Sequence, residues 1–444
     1  MRVLLAILTL LFAAAGAQTG DWTSFRGNNG DGIGDGSPPT DWNLATGRNV
    51  RWKQSIEGLA LSSPILCRDR IFLTTAVGAE PNPEFKPDPS WGYRILRERD
   101  VWEFKVICLD RSTGRRLWER TSFRGVPKQG RHSQSSHANP TPATDGTNIV
   151  ASFGSHGIHC YDRDGGHRWT TDLGALSGAP GDNPQLDWGY SSSPVIHRNR
   201  VIVQCDTPER AFLAVLDLAT GKELRSINRR GTTTWSTPTV ARTRNRELVI
   251  CNGHRNTAAY DLQTGERVWW LAGRGDVPVP RPILYRDSVI LTAAHGGRSL
   301  HSILLAANGD LTPAPGSSKL PTGLNWWSPR QGSYIPTPLI VDDILYVADE
   351  RGILTALDAR TGQTFYAERL SDGHGGMSYG SPVAAGGRLF IPQNDGWLHV
   401  VRSGRRFEKL ATYDFGAELM TSPAIVGGRL FVRTRHHLYC IGTP

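Results

Sequence analysis

A short proline motif recurs eight times along this chain, and each copy opens an apolar run with β character. The copies are Ser62-Ser63-Pro64, Pro140-Thr141-Pro142, Ser192-Ser193-Pro194, Ser236-Thr237-Pro238, Pro280-Arg281-Pro282, Pro336-Thr337-Pro338, Ser381-Pro382 and Ser422-Pro423. The steps between the shared prolines are 78, 52, 44, 44, 56, 44 and 41 residues. The basal unit therefore has about 40–45 residues, the length of a four-stranded propeller blade. Because proline is tolerated at the first residue of a strand, the motif marks the same strand of successive blades.

Each unit has the same internal order of strands and turns. A tight turn such as Gly427-Gly428 separates the first two strands, and small or polar turn residues supply the positive φ that it requires. The third strand ends in Asp, which is followed by Thr-Gly and by an outer strand that often carries an aromatic residue. The clearest copies are Asp110…Thr113-Gly114…Trp118, Asp261…Thr264-Gly265…Trp269 and Asp358…Thr361-Gly362…Phe365. We expect the Asp to accept backbone N–H bonds and the aromatic ring to pack on the neighbouring blade.

The C-terminal unit stops one strand short, after Leu438-Tyr439-Cys440. The missing piece is found near the N-terminus, where residues 44–52 have the sequence of a turn and an outer strand, and 44–47 repeat 218–221. We therefore predict an all-β, eight-bladed β-propeller of four-stranded antiparallel blades. The N-terminal strand completes the C-terminal blade, closes the ring and leaves no open sheet edge at the seam.

The predicted organisation is a signal peptide at 1–17, a lead-in at 18–43 and one propeller at 44–444, with an insertion in blade one at 77–103. Arg2, an apolar run and Ala15-Gly16-Ala17 are typical of a secretory signal that is cleaved near Ala17. The apolar run is too short to span a bilayer. A periplasmic or secreted monomer without a transmembrane segment is expected. The lead-in is expected to be flexible.

The six cysteines are compatible with an oxidising compartment. Cys108, Cys160 and Cys440 occupy the same strand position in three different blades, which favours small apolar residues filling the repeat core. A bridge between Cys67 and Cys108 within blade one is the alternative.

The formal net charge is +9, almost entirely from arginine. The arginines are scattered and do not form basic runs flanked by aromatic residues. This pattern favours a solvated surface and does not point to a nucleic-acid partner.

The long loops predict where a site lies. Blade-to-blade connections and second-to-third-strand turns share one face, and the segments 77–103, 121–138, 172–191 and 312–334 are all assigned to it. The opposite face is expected to carry only tight turns. Long loops on a rigid scaffold usually carry function.

Candidate ligand- or partner-binding residues gather around the strand-opening prolines, where equivalent positions of a ring meet at the axial mouth. Asn139, Tyr190, Trp235, Tyr334 and Tyr379 lie just before these prolines, and Trp188, Arg281, Trp326 and Trp327 are expected nearby. Aromatic walls with a few polar groups suit a planar cofactor, a sugar or an extended peptide. The alternative is that these rings only plug the channel and pack the loops.

Other patterns assign neither a metal ligand nor a catalytic residue. His156, His254 and His295 recur at second-to-third-strand turns, but blades two and five lie too far apart for one metal site. Residues 376–380 match G-x-S-x-G by letters. The nucleophile elbow requires a turn between a strand and a helix, whereas this match lies between two β blades.

The Asp-x-x-Thr-Gly…Trp units with Ser-Ser-Pro strand starts resemble the pyrroloquinoline-quinone-like propeller repeats. The lead-in Trp22-Thr-Ser-Phe25-Arg26-Gly27 resembles the start of an exported branch similar to outer-membrane assembly factor B. The resemblance covers residues 22–444. It implies the fold but not the chemistry, since the family contains both quinoprotein alcohol dehydrogenases and this non-enzymatic assembly factor.

Departures from both relatives set the functional interpretation. The chain has no adjacent cysteine pair, no position that matches the dehydrogenases' calcium ligands or catalytic Asp, and no lipobox cysteine. Pyrroloquinoline quinone is therefore not expected as a cofactor, and no functional residue is transferred. We favour a non-catalytic exported propeller that binds a cell-envelope protein partner or an extended polymer on its loop-rich face. The alternative is a quinone- or carbohydrate-binding enzyme that uses the aromatic mouth.

These departures predict that the purified protein does not oxidise alcohols when it is supplied with the quinone, calcium and a dye acceptor. The measurement is dye reduction with and without the quinone. Turnover that disappears when the quinone is withheld would contradict the prediction and favour the enzyme interpretation.

Overall fold

The computed structural model describes residues 20–80, 85, 94–180, 183, 185–272, 277–293, 297–314, 319–371 and 376–443. Its strands form eight antiparallel blades around a ring, which confirms the predicted all-β, eight-bladed propeller. A 3-10 turn at Gly154–His156 interrupts blade 2. The predicted signal peptide and His295 lie outside the described residues.

Blades 1 to 7 are meanders whose main strands run in chain order from the channel outward, and blade 8 takes its outer strand from the N-terminal part of the chain. Blade 1 comprises β2 (Ile65–Cys67), β3 (Arg70–Val77), β5 (Trp102–Asp110) and β6 (Arg116–Gly125), and blade 2 comprises β8 (Ala143–Thr144), β9 (Asn148–Ser152), β10 (Ile158–Asp162) and β11 (His167–Thr171). Blade 3 comprises β12 (Val195–His197), β13 (Arg200–Asp206), β14 (Ala211–Asp217) and β15 (Glu223–Asn228), and blade 4 comprises β16 (Thr239–Arg242), β17 (Glu247–Cys251), β18 (Thr257–Asp261) and β19 (Arg267–Leu271).

Blade 5 comprises β20 (Ile283–Tyr285), β21 (Ser288–Ala293), β22 (Ser299–Leu304) and β24 (Leu324–Ser328), and blade 6 comprises β25 (Leu339–Val341), β26 (Ile344–Ala348), β27 (Ile353–Asp358) and β28 (Thr364–Arg369). Blade 7 comprises β29 (Val383–Ala385), β30 (Arg388–Pro392), β31 (Trp397–Arg402) and β32 (Lys409–Asp414), and blade 8 comprises β33 (Ala424–Val426), β34 (Arg429–Arg433), β35 (His437–Ile441) and β1 (Val50–Ser55). Three short strands are added to this ring. β4 (Ile95–Leu96) pairs with β7 (Arg131–His132), and β23 (Gly309–Asp310) extends blade 4.

The ring closes as the sequence predicts. β1 pairs antiparallel with β35, with Lys53 opposite Tyr439, so the N-terminal strand is the outer strand of blade 8. Trp52 of β1 then reaches blade 1, where its Nε1 donates to the carbonyl oxygen of Arg111 at 3.2 Å. Both ends of the propeller segment are therefore needed to complete a single blade.

A belt of hydroxyl bonds joins the innermost strands and explains the recurring motif. At seven of the eight strand-opening prolines, the preceding residue donates its backbone N–H to the side-chain hydroxyl of the equivalent residue in the next blade. The seven donor–acceptor steps, all 2.9–3.1 Å long, run from Ser63 to Thr141, Thr141 to Ser193, Ser193 to Thr237, Arg281 to Thr337, Thr337 to Ser381, Ser381 to Ser422, and Ser422 back to Ser63. Arg281 has no hydroxyl, so the step from Thr237 lacks this acceptor.

The Asp-x-x-Thr-Gly turns dock neighbouring blades, as the sequence predicts. Asp217 Oδ1 accepts from the backbone N–H and the hydroxyl of Thr220 at 2.9 and 2.8 Å. Gly221 has φ +72°, and Trp169 of the preceding blade packs against its bare Cα. Trp169 Nε1 donates to the carbonyl oxygen of Leu218 at 2.9 Å. The same indole-to-carbonyl bond is made by Trp52, Trp118 and Trp326.

The lead-in is not flexible, so this expectation is wrong for its described residues. Trp22 and Leu66 exchange two backbone hydrogen bonds of 2.7 and 2.8 Å, which adds the lead-in to the first strand of blade 1. Ile33 forms a parallel bridge with Ala384 of blade 7. Asp35 accepts from the backbone N–H of Gly427 at 2.6 Å in the tight turn of blade 8.

Arg26 fixes this segment inside the channel. Its side chain is fully buried, and its two terminal nitrogens donate to the carbonyl oxygens of Pro382 and Pro338 at 2.8 and 2.9 Å. Gly32 lies directly against this guanidinium, where a Cβ would be 2.5 Å from Nη2. The glycine-rich composition that suggested flexibility therefore permits close approach in a crowded channel.

Blade 5 departs from the predicted loop map. The described residues 305–314 and 319–323 lie between β22 and β24 on the face assigned only to tight turns, so the placement of all of 312–334 on the loop face is wrong. The expected positions of Trp326 and Trp327 beside the mouth are wrong as well, because both residues belong to the outer strand β24. Trp326 makes the interblade indole bond, and Trp327 stacks on His301. Blade 5 lacks the Asp-x-x-Thr-Gly signature that located the outer strand elsewhere.

Two glycines with similar backbone conformations test the interblade docking. We expect Gly47→Ala, at φ +77° with no atom within 4 Å of the new Cβ, to lower the free energy of unfolding by about 1–2 kcal/mol. Gly221→Ala places its Cβ 2.4 Å from the Trp169 ring, so we expect a further loss of about 1–3 kcal/mol. Urea unfolding of both variants measures the difference. Equal losses would show that the ring contact contributes nothing beyond backbone strain.

Candidate functional site

Several predicted mouth residues are structural parts of the loop face. Asn139, Tyr190 and Trp235 are all buried. Tyr190 Oη donates to the carbonyl oxygen of Gln204 at 2.9 Å, and Trp235 Nε1 donates to that of Gly189 at 2.8 Å. Burial raises the pKa of Tyr190 well above its usual value. These groups hold connections between blades together and do not form an open wall.

Arg281 lies in the channel, where it contacts the lead-in. Its Nη1 donates to the carbonyl oxygen of Phe25 at 2.9 Å, and its Nε donates to the Thr239 hydroxyl at 2.9 Å. A Cβ on Gly30 would be 2.3 Å from the centre of this guanidinium. Burial lowers the pKa of Arg281 to about 10. The sequence predicts Arg281 as a binding residue, whereas its side-chain hydrogen bonds are with the chain's own lead-in and with Thr239.

Trp188, Tyr334 and Tyr379 are half-buried and remain candidates for ligand or partner contact. The Trp188 ring lies 5.7 Å, centroid to centroid, from the Trp235 ring. Tyr379 Oη donates to Gln134 Oε1 at 3.2 Å, which joins two connections that are not neighbours around the ring. This bond crosses part of the mouth.

A buried polar network that the sequence did not reveal lies at the loop-face ends of blades 3 and 4. Asp206 Oδ1 accepts from Arg229 Nε at 2.9 Å, and both side chains are about 1% exposed. Asp206 Oδ2 accepts from Gln204 Nε2 and from the Thr234 hydroxyl at 2.7 and 2.9 Å. Gln204 Nε2 also donates to the carbonyl oxygen of Asn252. Apart from the bond between Gln204 and Asp206, these bonds join residues more than 20 positions apart in sequence, so no local pattern marks the network.

A second polar cluster anchors the insertion of blade 1. Glu98 accepts from Arg131 Nε at 2.8 Å and lies 2.9 Å from His137 Nε2. Burial by itself would raise the pKa of Glu98, but the bond with His137 and the charge of Arg131 outweigh it and lower the pKa to about 2. Asp187 also holds this region in place, because its side chain accepts a hydrogen bond from the backbone N–H of Gly130 at 2.6 Å.

The end of the longest hairpin of the ring stands on the loop face. Trp102 of β5 pairs with Gly125 of β6, and the adjoining Val101 and Val126 are 51% and 47% exposed. Arg99 and Arg124 beside them are also exposed. We call Arg99, Val101, Arg124 and Val126 the blade 1 ridge. It combines apolar and cationic surface on a segment fixed by the buried cluster around Glu98.

The Trp188 and Trp235 rings of the predicted aromatic mouth lie 5.7 Å apart, centroid to centroid, and leave no gap for a planar ring between them. All six cysteines are buried and unbonded, so the alternative Cys67–Cys108 bridge is not formed. His156 is buried, and its Nε2 accepts from the backbone N–H of Lys128 at 3.0 Å. Among the described residues, His, Cys, Asp and Glu form no group of metal-binding geometry.

The closed ring and its repeated interblade turns place this chain in the class of pyrroloquinoline-quinone-like β-propellers. The family model described as outer membrane protein assembly factor BamB matches residues 103–368 and 319–442. These matches span more than half of the sequence, and the chain belongs to this family. None of the curated proteins compared with the sequence matches it.

Solved structures with the same fold come from both branches of the resemblance. BamB from Moraxella catarrhalis aligns with a TM-score of 0.54 at 14% identity, covering 83% of this chain and 96% of that chain. The quinohemoprotein alcohol dehydrogenase of Comamonas testosteroni aligns with 0.65 at 12% identity, covering 97% and 82%. The quinohemoprotein alcohol dehydrogenase ADHIIG of Pseudomonas putida HK5 aligns with 0.61 at 12% identity, covering 96% and 81%. At these identities the likeness establishes the fold alone.

Within the described part of the chain, no helix has the length and apolar character needed to cross a membrane.

The cluster around Glu98 predicts a defined pH dependence. Because the folded-state pKa is about 2, below the usual 4.5, its stabilisation is present above pH 4.5 and is lost as the pH falls towards 2. We expect Glu98→Gln to lower the free energy of unfolding by roughly 2 kcal/mol at pH 7, after discounting for solvent screening. This difference should narrow between pH 4.5 and pH 3.

Denaturant unfolding across this pH range measures the difference. Glu209→Gln, at an exposed position, is the control and should show little difference at any pH. If the free energies of unfolding of the wild type and Glu98→Gln differ by the same amount from pH 7 to pH 3, the stabilising role assigned to ionised Glu98 is wrong.

Proposed function

We propose that this chain is an exported, non-catalytic propeller that binds a protein partner of the cell envelope on its loop face. Membership in the family described as outer membrane protein assembly factor BamB supports protein binding. The signal-like residues 1–17 support export to the periplasm. The observation that carries the proposal is the blade 1 ridge, where Val101 and Val126 are about half exposed.

The ridge has the properties of a docking surface. It extends from long paired strands, so its backbone position is fixed before a partner arrives. The insertion behind it is tied down by the Arg131–Glu98 ion pair and by the bond from Gly130 to Asp187. Pre-organisation of this kind lowers the entropic cost of association.

The chemistry of the ridge indicates the chemistry of its partner. The Arg124 side chain is 73% exposed and meets Glu103 at 3.5 Å, so most of its surface is open to a second carboxylate. Exposed Arg99 adds a second positive charge, beside the exposed Asp100. An apolar partner segment flanked by acidic residues complements this surface in both respects.

An extended polymer is less favoured as the ligand. Polymer recognition by stacking needs exposed aromatic rings along a groove. The rings of Tyr190 and Trp235 are buried in the packing of the loops, and Trp326 lies in an interblade contact. The enzyme alternative has the same difficulty, because polar atoms of the predicted mouth already bond to backbone groups.

Charge insertion into the ridge tests the proposal. We expect the double substitution Val101→Glu and Val126→Glu to abolish partner capture in vivo, because it buries carboxylates against an apolar and acidic partner. The measurement is cross-linking of the full exported chain in intact cells, followed by quantitative mass spectrometry of the captured proteins.

Leu224→Glu is the matched control. Leu224 is 53% exposed, but it lies on the outer strand of blade 3 and is remote from the ridge in the ring. A partner that is lost from the ridge variant and retained by Leu224→Glu supports the site. Equal capture by all three proteins would overturn it.

A further inference from the structure

The lead-in covers half of the channel wall at the level of the innermost strands. The second residue after each strand-opening proline occupies an equivalent position in every blade. In blades 1, 2, 7 and 8 this residue is at most 5% exposed, and the lead-in contacts it; the four are Leu66, Thr144, Ala384 and Ile425. In blades 3 to 6 it is not buried, and Leu284 of blade 5 is 39% exposed. We call the four uncovered residues, Ile196, Val240, Leu284 and Ile340, the open arc.

The lead-in binds the covered half through backbone hydrogen bonds. The N–H groups of Thr144 and Ala384 donate to the carbonyl oxygens of Thr23 and Gly32, both at 2.9 Å. Trp22 pairs with blade 1 and the next residue, Thr23, bonds to blade 2, so the segment advances around the channel by one blade in one residue. An extended segment can therefore bind the inner strands without a particular side chain at each blade.

The open arc has the same backbone groups. Leu284 pairs with Val289 in the register in which Leu66 pairs with Ile71. In this register the residue turns its backbone N–H and C=O away from the second strand and towards the channel, as the bond of Leu66 to Trp22 shows. Among the described residues, the N–H groups of the open arc make no backbone hydrogen bond to a segment outside their own blade. They form an edge like the one to which the lead-in bonds.

The surface of this part of the channel is apolar. All four residues of the open arc are aliphatic. At blade 6 the arc adjoins the lead-in, because Gly32 lies against Leu339, the neighbour of Ile340. The next lead-in residue, Ile33, is 41% exposed. An occupant with apolar side chains removes these surfaces from water, which favours its binding.

Arginines follow the open arc on the tight-turn face. Arg242, Arg244 and Arg246 are all exposed on the first turn of blade 4, and no ion pair to them is found in the part of the chain that the structure describes. On the corresponding turn of blade 3, the Arg198 side chain is 65% exposed and meets Glu247 at 2.7 Å. The positive charge of these two turns exceeds the charge of Glu247 and favours acidic residues in an occupant.

We propose that the open arc binds a short extended peptide segment of a second protein, composed mainly of apolar and acidic residues. The backbone of this segment bonds to the inner strands of blades 3 to 6, as the lead-in does in blades 2 and 7. Its apolar side chains cover the open arc, and its acidic side chains meet the arginines on the first turn of blade 4. The site is separate from the blade 1 ridge and independent of the function proposed for that ridge.

Fluorescence anisotropy with labelled synthetic peptides tests the site on the full chain. Three sets of short peptides share the same valine and leucine positions and carry aspartate, serine or lysine at the others. We expect members of the aspartate set to bind more tightly than their serine counterparts, and the lysine set not to bind.

Two variants and a matched control locate the binding. Leu284→Asp should weaken binding of the aspartate set by about tenfold or more, because it places a carboxylate in the apolar contact. Leu117→Asp should bind like the wild type, since Leu117 is 37% exposed but lies on the outer strand β6 of blade 1. The double substitution Arg242→Glu and Arg246→Glu, at exposed positions, should shift the preference from the aspartate to the lysine set.

Amide hydrogen exchange provides a second readout, because the proposal requires bonds to the backbone. In the free chain we expect the N–H groups of Val240 and Leu284 to exchange faster than those of Thr144 and Ala384, which bond to the lead-in. A bound aspartate peptide should slow exchange at Val240 and Leu284 and leave Thr144 and Ala384 unchanged.

The ridge is the competing location for these peptides, so every titration is repeated with Val101→Glu and Val126→Glu combined. Binding that is retained in this variant supports the open arc, and binding that is lost assigns the peptides to the ridge and overturns the proposal. The proposal is also wrong if no member of the aspartate set binds, if Leu284→Asp and Leu117→Asp bind equally, or if exchange at Val240 and Leu284 is not slowed. None of these outcomes depends on whether the ridge captures a partner in cells.

Discussion

The hydroxyl belt around the channel is the constraint on which the rest of the structure depends. A strand-opening proline has no backbone N–H to donate. The residue before it therefore supplies the backbone N–H that bonds to the next blade. Ser or Thr at that position both donates and accepts, as Ser63, Thr141 and Ser193 show with bonds of 2.9–3.0 Å. The belt fixes the spacing of the blades at the inner radius, while the Trp-to-carbonyl bonds fix it at the outer radius. A blade that has both the hydroxyl bond and the Trp-to-carbonyl bond is recognisable in the sequence, because each bond requires a particular type of residue.

The belt also explains why the fold was readable from the sequence and the site was not. The prolines, the Asp-x-x-Thr-Gly turns and the terminal half-blade are local signals, and each predicted its element correctly. Blade 5 lacks the turn signature, so its outer strand with Trp326 was misplaced onto the loop face. Spacing places Trp235 near the mouth but does not give the direction of its ring, which is set by the distant carbonyl oxygen of Gly189. The lead-in was misread because its glycines suggest flexibility in isolation, whereas inside the channel they accommodate Arg26 and Arg281.

Burial of the mouth residues changes where a partner can bind. The network around Asp206 and the bond between Tyr379 and Gln134 use polar groups that would otherwise face a ligand. Trp188, Tyr334 and Tyr379 are half-buried, whereas Val101 and Val126 at the end of the blade 1 hairpin are 51% and 47% exposed. Under the proposed function, this exposed surface is where a folded or extended protein segment binds.

Repetition allows a single position to be compared across blades, which isolates what each residue adds. Thr74, Asn252, Thr292 and Arg433 occupy equivalent sites, and all bond to oxygens of the adjoining blade. Only Arg433 brings a charge, and it does so at the seam formed from the two distant ends of the propeller segment. A buried, unpaired guanidinium at that seam is destabilising by itself. The neutral Asn252 makes the corresponding bonds between blades 4 and 5, so the charge of Arg433 is an addition to the interblade contact and not a requirement of it.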